Sequence, residues 1–231
     1  MPDSDPARRF YQGSAGKQYH EIKRGVPEQA LPWVLNSRAQ KFSRHIKSSD
    51  VVFEYGVGAG WNLAQLQCAQ KIGFDVADHL TERVQALGIK FVSDLATIPD
   101  KTADVVLCHQ TLEHLSDPFK ALNQLLRIAR PGGHLILHVP WERERRYSQY
   151  NPQEPNHHLY NWNAQNIGNL VTLTGFQINT VQVLTYGYDR FAAVLALKMK
   201  MGAPGYRLLR RILILLRPLY EIELIAEKPI E

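Results

Sequence analysis

The chain predicts an α/β fold: a doubly wound, mostly parallel seven-stranded sheet with helices on both faces, its first five strands parallel and its last two an antiparallel edge pair. Three observations carry that expectation. From about residue 50 to 140, short apolar runs alternate with segments of helical spacing, the rhythm of strand–helix–strand crossovers. The runs are nearly continuously apolar, as strands covered on both faces are. Finally, Gly56, Gly58 and Gly60 follow the first run at alternate positions. Glycine is unfavourable there unless the backbone turns sharply or something approaches it closely.

The elements follow in order. Residues 1–45 read as an N-terminal helical cap, since PEQALPWVLNSRAQKFSRHI mixes apolar and charged positions at helical spacing. DVVFEYG is then a strand and WNLAQLQCA a helix; KIGFDVA is a strand, LTERVQALG a helix and IKFVSD a strand. ADVVLCH is the fourth strand, DPFKALNQLLRIARPGG a helix stopped by Pro-Gly-Gly, and HLILHV the fifth strand. Beyond residue 140 comes a long polar and aromatic loop, PWERERRYSQYNPQEPNHHLYNW, of the kind that is usually functional inside a compact domain. A helix, NAQNIGNLVTLTG, a strand, FQINTVQVLTYGY, a helical insertion at about 190–218 and a closing strand, YEIELIAEKP, complete the chain. The whole reads as one domain, with 46–140 as one half and 141–231 as the other.

Composition bounds the possibilities. Hydrophobic residues at 45 % and charged residues at 21 % describe a globular chain, long enough to bury a core without staples. Cys68 and Cys108 are the two cysteines, so no disulfide framework is expected and a reducing, cytoplasmic setting is. The opening MPDSDPARRF has no apolar stretch and does not read as a signal peptide. Nowhere do about 18 apolar residues run without a charge, so no membrane span is expected. The net charge of +5 suits nucleic acid, an anionic surface or a phosphorylated ligand. Much of that excess sits in WERERRY at 141–147 and YRLLRRILILLRPL at 206–219.

Open α/β sheets bind ligands beyond the carboxyl ends of their strands, where strand order reverses. The first strand-to-helix turn contributes unpaired amides there. A dinucleotide site needs a third glycine in the pattern G-x-G-x-x-G; Trp61 holds that position, which disfavours NAD and FAD. EYGVGAG instead resembles the Glu/Asp-x-Gly-x-Gly-x-Gly loop of class I S-adenosylmethionine-dependent methyltransferases, a Rossmann-like family. The resemblance extends over roughly residues 45–140. It implies S-adenosylmethionine as cofactor, with Glu54, Tyr55, Gly56, Gly58 and Gly60 about its methionine portion and Asp75 with Val76 at its ribose. It further implies Asp94 and Leu95 at the adenine, and His109, Gln110 and His114, from VVLCHQTLEHLSDP, beside the methionine end. An ionised carboxylate only accepts hydrogen bonds, so Asp75 suits a diol. Each acid also suits a local role: Glu54 in holding the turn, Asp75 and Asp94 as helix N-caps.

Methyl transfer from a sulfonium is an in-line displacement needing alignment, a dry pocket and, for a hydroxyl acceptor, a base. His157 and His158, in the loop expected to close over the acceptor, and His109 are the base candidates; His134 and His138 read as structural. Neither cysteine has a partner at ligand spacing, so no metal site is expected. Tyr11, Tyr19, Trp61, Trp141 and Tyr147 are candidate pocket walls. Acceptor contacts are expected in 141–162 and 186–218. Arg143, Arg145 and Arg146 suit either a solvated loop or a phosphate clamp. In 206–217 the arginines separate from the leucines on a helical wheel, which fits a packed lid, a dimer partner or a helix on an anionic bilayer. The acceptor expected is a small molecule, with saccharide and lipid-linked compounds among the candidates and oxygen as the methylated atom. Nucleic acid is not expected, because CHQTLEH lacks the Pro-Pro-Tyr-like run of enzymes that flip a base. A protein that binds the cofactor without catalysis is the competing class.

Overall fold

The computed structural model describes residues 6–141, 149–152, 154 and 156–230. Its sheet contains β1 (Val51–Tyr55), β2 (Gln70–Phe74), β3 (Lys90–Val92), β4 (Ala103–His109), β5 (Ala129–Pro140), β6 (Gln177–Tyr186) and β7 (Leu219–Glu227). They lie in the order β3-β2-β1-β4-β5-β7-β6. β1 to β5 are parallel, and β7 runs antiparallel between β5 and β6. The last strand of the chain is therefore interior to the sheet and buried along most of its length.

The helices are α1 (Gly13–Arg24), α2 (Leu31–Ser43), α3 (Thr81–Gln85), α4 (Pro118–Ile128), α5 (Ala164–Leu173), α6 (Asp189–Lys198) and α7 (Gly202–Leu216). Side chains alternate along β1, so Phe53 and Tyr55 enter one core while Val52 enters the other. On the first face α4 supplies Leu122, Leu125 and Ile128, and α5 supplies Ile167 and Val171. On the second, α2 supplies Phe42 and α3 supplies Val84. A third cluster joins Val34 of α2 to Ala192, Ala193 and Ala196 of α6 and to Tyr206 of α7. The expected 190–218 insertion is thus a helical pair seated on α2.

Three local expectations need correction. WNLAQLQCA forms turns rather than a helix: after Ala64 N–H bonds the Gly60 carbonyl, the chain must return to start β2 at Gln70. That leaves no length for a full crossover helix, yet Leu63 and Leu66 still fill the core. The helix expected across LTERVQALG shrinks to Thr81–Gln85. α4 ends at Ile128, before Pro131-Gly132-Gly133, which instead belongs to β5.

The sheet order reverses between β1 and β4, with β2 and β3 on one side and β5, β7 and β6 on the other. Loops leaving β1 and β4 diverge there and open a crevice at their carboxyl ends.

Candidate functional site

The turn after β1 is built by the glycines. Gly56, Gly58 and Gly60 have φ of 75°, 49° and 77°, the left-handed region that glycine alone enters freely. The amides of Gly56 and Val57 donate to the Phe74 carbonyl at 2.8 and 2.9 Å, folding the turn onto β2. A side chain at Gly56 would collide with Thr111, whose Oγ1 lies 2.4 Å from the Cβ position. Gly60 packs against Ile89 and Leu87. Gly58 alone of the three faces open space, with only His20 Cε1 at 3.9 Å. Two of these glycines serve the protein's own packing, and the third leaves room for a ligand.

Asp75, at the end of β2, holds that turn in place. Its Oδ2 accepts the Gly58 amide at 2.7 Å and its Oδ1 the Ala77 amide at 2.9 Å. Burial pushes its carboxyl above the usual value, against the pull of those amides. Each carboxylate oxygen retains a further lone pair, so the local role and the ligand role coexist. Glu54 is fully buried and sits behind the cavity: Asn62 Nδ2 donates to its Oε1, and Asn62, not Glu54, lines the space. Burial pushes the Glu54 carboxyl up to about 8, with the Asn62 hydrogen bond opposing.

The cavity beyond this turn has a volume of about 990 Å3, at the upper end of the range of roughly 300–1,000 Å3 seen for small-molecule sites. Tyr55, Gly56, Gly58, Asp75, Val76 and Leu95 line one side of it, at the ends of β1, β2 and β3. His109, Gln110, Pro140, Tyr186 and Glu221 line another, at the ends of β4 to β7, with Lys41 of α2.

That second wall is a buried charge network. Lys41 Nζ donates to Glu221 Oε1 at 2.6 Å, to Glu221 Oε2 at 2.7 Å and to His109 Nε2 at 2.9 Å. Burial brings Lys41 down to about 8, with Glu221 pulling the other way. Burial and the neighbouring Lys41 ammonium hold His109 well below the usual imidazole value. Below, His138 lies between Glu221 and Glu223, its Nδ1 and Nε2 3.5 and 3.3 Å from the two carboxylates. Arg44 and Gln182 complete the pairing of Glu223. Burial opposes ionisation of both glutamates, but the His138 imidazole together with Lys41 for Glu221, and with Gln182 and Arg44 for Glu223, outweighs it and holds each at about 2. Nearby, Asp189 bridges Arg38 Nε at 3.2 Å and Arg210 Nε at 2.6 Å.

The N-terminal segment and the 156–158 loop meet over the cavity. Phe10 stacks on His157 with centroids 4.0 Å apart. The Tyr11 hydroxyl donates to the Asn156 carbonyl at 3.0 Å and lies 2.8 Å from His114 Nδ1. His158 stands 4.8 Å from His114, ring to ring.

Set against the expectations from sequence, the cavity gathers Tyr55, Gly56, Gly58, Asp75, Val76, Leu95, His109, Gln110, His114 and His158. Glu54, Gly60, Asp94 and His157 are not among its lining residues. Asp94 is exposed and caps the 3-10 turn Leu95–Thr97 through the Ala96 amide, so the chain reaches the cavity there with Leu95. Lys41 saturates the Nε2 lone pair of His109, which removes that ring as a ready base. Among the aromatics, Tyr11, Tyr19 and Trp61 line the cavity and Trp141 packs edge-on against Tyr220. Tyr147, Arg143, Arg145 and Arg146 lie outside the described residues. Gln110, with φ of 53°, is a strained residue at the mouth of the site.

Sequence reasoning missed Lys41, Arg38, Asn62, Asp189 and Glu221. A signal existed for one of them: Glu221 and Glu223 alternate with Ile222 and Leu224, placing two acids on one face of a strand. That face is dry only because β7 is interior, which pairing alone reveals. Lys41, in the last turn of α2, and Arg44, the residue just past its end, lie three apart and meet those two acids.

The profile of a family described as a methyltransferase domain matches residues 28–181. A Mycolicibacterium smegmatis protein described as a probable S-adenosylmethionine-dependent methyltransferase is 26 % identical over 156 residues, covering 64 % of this chain and 60 % of that protein. The matches to two further curated relatives span 13 % and 32 % of their lengths. Among solved structures, the Haemonchus contortus phosphoethanolamine N-methyltransferase 2 in complex with S-adenosyl-L-methionine superposes with a TM-score of 0.63 at 17 % identity, over 96 % of this chain and 60 % of that one. The 4+2 cyclase SpnF superposes with a TM-score of 0.60 at 18 % identity, over 85 % and 80 %.

Proposed function

This chain belongs to that methyltransferase family, and from this premise we propose that it moves the methyl group of S-adenosylmethionine onto an oxygen of a small saccharide-type or lipid-linked acceptor. The observation that carries the reading is the one cavity joining the Gly58–Asp75 turn to the Lys41–Glu221 wall. The donor lies along the first side: Gly58 admits its methionine portion, Asp75 takes the ribose hydroxyls, and Val76 and Leu95 cover the adenine. The acceptor lies on the second side, with its nucleophile toward His158. Arg38, Lys41 and Arg210 outnumber Asp189 and Glu221 there, so an acceptor bearing an anionic group complements the wall. Proximity and a dry cavity supply most of the acceleration, because the sulfonium already activates its methyl carbon.

The test is methyl transfer from labelled S-adenosylmethionine to saccharides, sugar phosphates and lipid-linked saccharides, with the product located by mass and the methylated atom by NMR. Transfer to oxygen of one class supports the reading. Tight cofactor binding without transfer to any member favours the competing class, a protein that holds the cofactor without catalysis. A cyclase shares the fold, so the fold alone does not dictate methyl transfer.

A second reading concerns the membrane. Among the described residues no helix is long and apolar enough to cross one. On α7, however, the apolar stripe is wider than its packed face: Tyr206, Leu209 and Leu213 join the third core cluster, while Leu208, Ile212, Leu215 and Leu216 are exposed. Arg207, Arg211 and Arg217 are exposed beside them, a combination suited to lying on anionic lipid. Co-sedimentation with phosphatidylglycerol vesicles that Leu215→Glu abolishes supports peripheral docking; indifference to such vesicles rejects it.

A further inference from the structure

We infer that Arg38 and Arg210 form a clamp for a phosphoryl group on the acceptor wall of the cavity, which makes the acceptor a phosphate ester. This deepens the methyl-transfer reading and rests on it for its consequence. Asp189 opens α6, where the helix dipole favours an acid. One of its carboxylate oxygens accepts Arg38 Nε–H at 3.2 Å and the other accepts Arg210 Nε–H at 2.6 Å. A single carboxylate thus holds two guanidiniums side by side, and the trio keeps a net positive charge. All three residues line the cavity, with the arginine side chains 28 % and 29 % exposed.

This pairing leaves the far edge of each guanidinium open. A guanidinium carries five N–H donors in a rigid fork, and Asp189 takes the Nε–H alone from each. Arg38 Nη1 adds one long contact, 3.4 Å, to Asn62 Oδ1. Among the described residues the Nη groups of Arg210 make no hydrogen bond. Paired N–H groups of this kind match the oxygens of a phosphoryl group. A phosphate monoester offers three such oxygens and a charge of about −1.5 to −2, so both forks can engage it together. A carboxylate offers only two oxygens. Lys41 does not compete for the anion, because Glu221 and His109 already occupy its ammonium.

The clamp sits on the part of the chain that serves the acceptor. Asp189 and Arg210 lie on α6 and α7, beyond residues 28–181 that match the family profile, whereas Gly58 and Asp75 lie within them. Arg38 connects the two parts: it donates to Asn62, and Asn62 donates to Glu54 behind the glycine turn. A phosphoryl group between the two arginines therefore lies beside the methionine end of the donor, in the same cavity as the methyl group to be moved.

The folded full chain is titrated by calorimetry with glycerol phosphate and, separately, with inorganic phosphate. The expected result is one glycerol phosphate per chain, bound about tenfold or more weaker in Arg210→Gln and in Arg38→Gln, with unchanged circular dichroism. The same charge change at Arg207, exposed on α7 and outside the cavity, should leave binding as it is. Absence of saturable uptake, affinity that survives both cavity substitutions, or equal weakening in Arg207→Gln overturns the inference. Binding of inorganic phosphate alone also overturns it, since the clamp would then hold a free ion and not an ester. S-adenosylhomocysteine binding by the same samples keeps the readings apart. A loss of nucleoside affinity in Arg210→Gln that exceeds the loss of phosphate affinity would assign the arginine to the donor and defeat the clamp. Retained nucleoside binding without phosphate uptake sinks the clamp alone, and phosphate uptake without nucleoside binding sinks the donor assignment alone.

Discussion

Replacing Glu54 by glutamine removes a titrating group from the centre of the sheet while keeping its shape and its bond from Asn62. Glu54 lies on β1 with no exposed surface; Oε1 accepts from Asn62 and Oε2 has no hydrogen-bond partner. Burial raises its carboxyl from 4.5 to about 8, so the folded protein keeps a proton that the unfolded chain surrenders across that interval. The folded state binds more protons there, and stability must fall as pH rises from about 4.5 to about 8. At about 1.4 kcal/mol per pH unit the ceiling of this loss is about 5 kcal/mol. Relaxation around a buried charge lowers it to about 2–3 kcal/mol. Glutamine cannot ionise, so Glu54→Gln should match the parent near pH 5 and exceed it by about 2–3 kcal/mol at pH 9. Urea unfolding at pH 5, 7 and 9 reads this directly. A difference that stays constant with pH, or a variant that loses ground at pH 9, refutes the reasoning.

Other perturbations read the remaining parts of the site. Lys41→Met leaves Glu221 buried without its ammonium and should cost about 3–5 kcal/mol in urea unfolding, a loss that the added change Glu221→Leu largely restores. Glu221 and Glu223 are held at about 2 against an ordinary 4.5, so their stabilisation is complete above pH 4.5 and is lost as pH falls toward 2; acid titration followed by circular dichroism should place the main loss there. Gly58→Ala meets only His20 and should cost about 1–2 kcal/mol for the left-handed backbone, while nucleoside affinity falls more than stability does. Gly56→Ala strikes Thr111 and should destabilise more, as comparative thermal melting would show.

The sheet was legible because its strands are apolar along their length and its glycines sit where the first strand ends. Asp75, Val76 and Leu95 were legible for a related reason: strand ends in this topology converge, so position along the chain maps onto position around the crevice. The missing helix after β1 was not legible, since apolar spacing at Leu63 and Leu66 fits a helix and a buried turn equally well. Lys41 and Asp189 were hidden because their partners lie far along the chain, on β7 and on α2 and α7. Asp94 carried two readings, an acid near the adenine and a cap of the next turn, and the capping geometry is what the fold displays there. The apolar face of α7 reads from sequence first as a packed lid or dimer partner and then as a bilayer-facing surface; only the placement of α6 and α7 on α2 divides Leu209 and Leu213 from Leu215 and Leu216.

Calorimetric titration of the folded chain with S-adenosylhomocysteine, run beside Asp75→Ala, bears most directly on the donor site. The expected outcome is one molecule bound per chain, weakened by about 100-fold or more in the variant, as loss of the two charge-assisted bonds proposed to the ribose requires. Silent titration of well-folded parent protein, or equal affinity in the Asp75 variant, would contradict it.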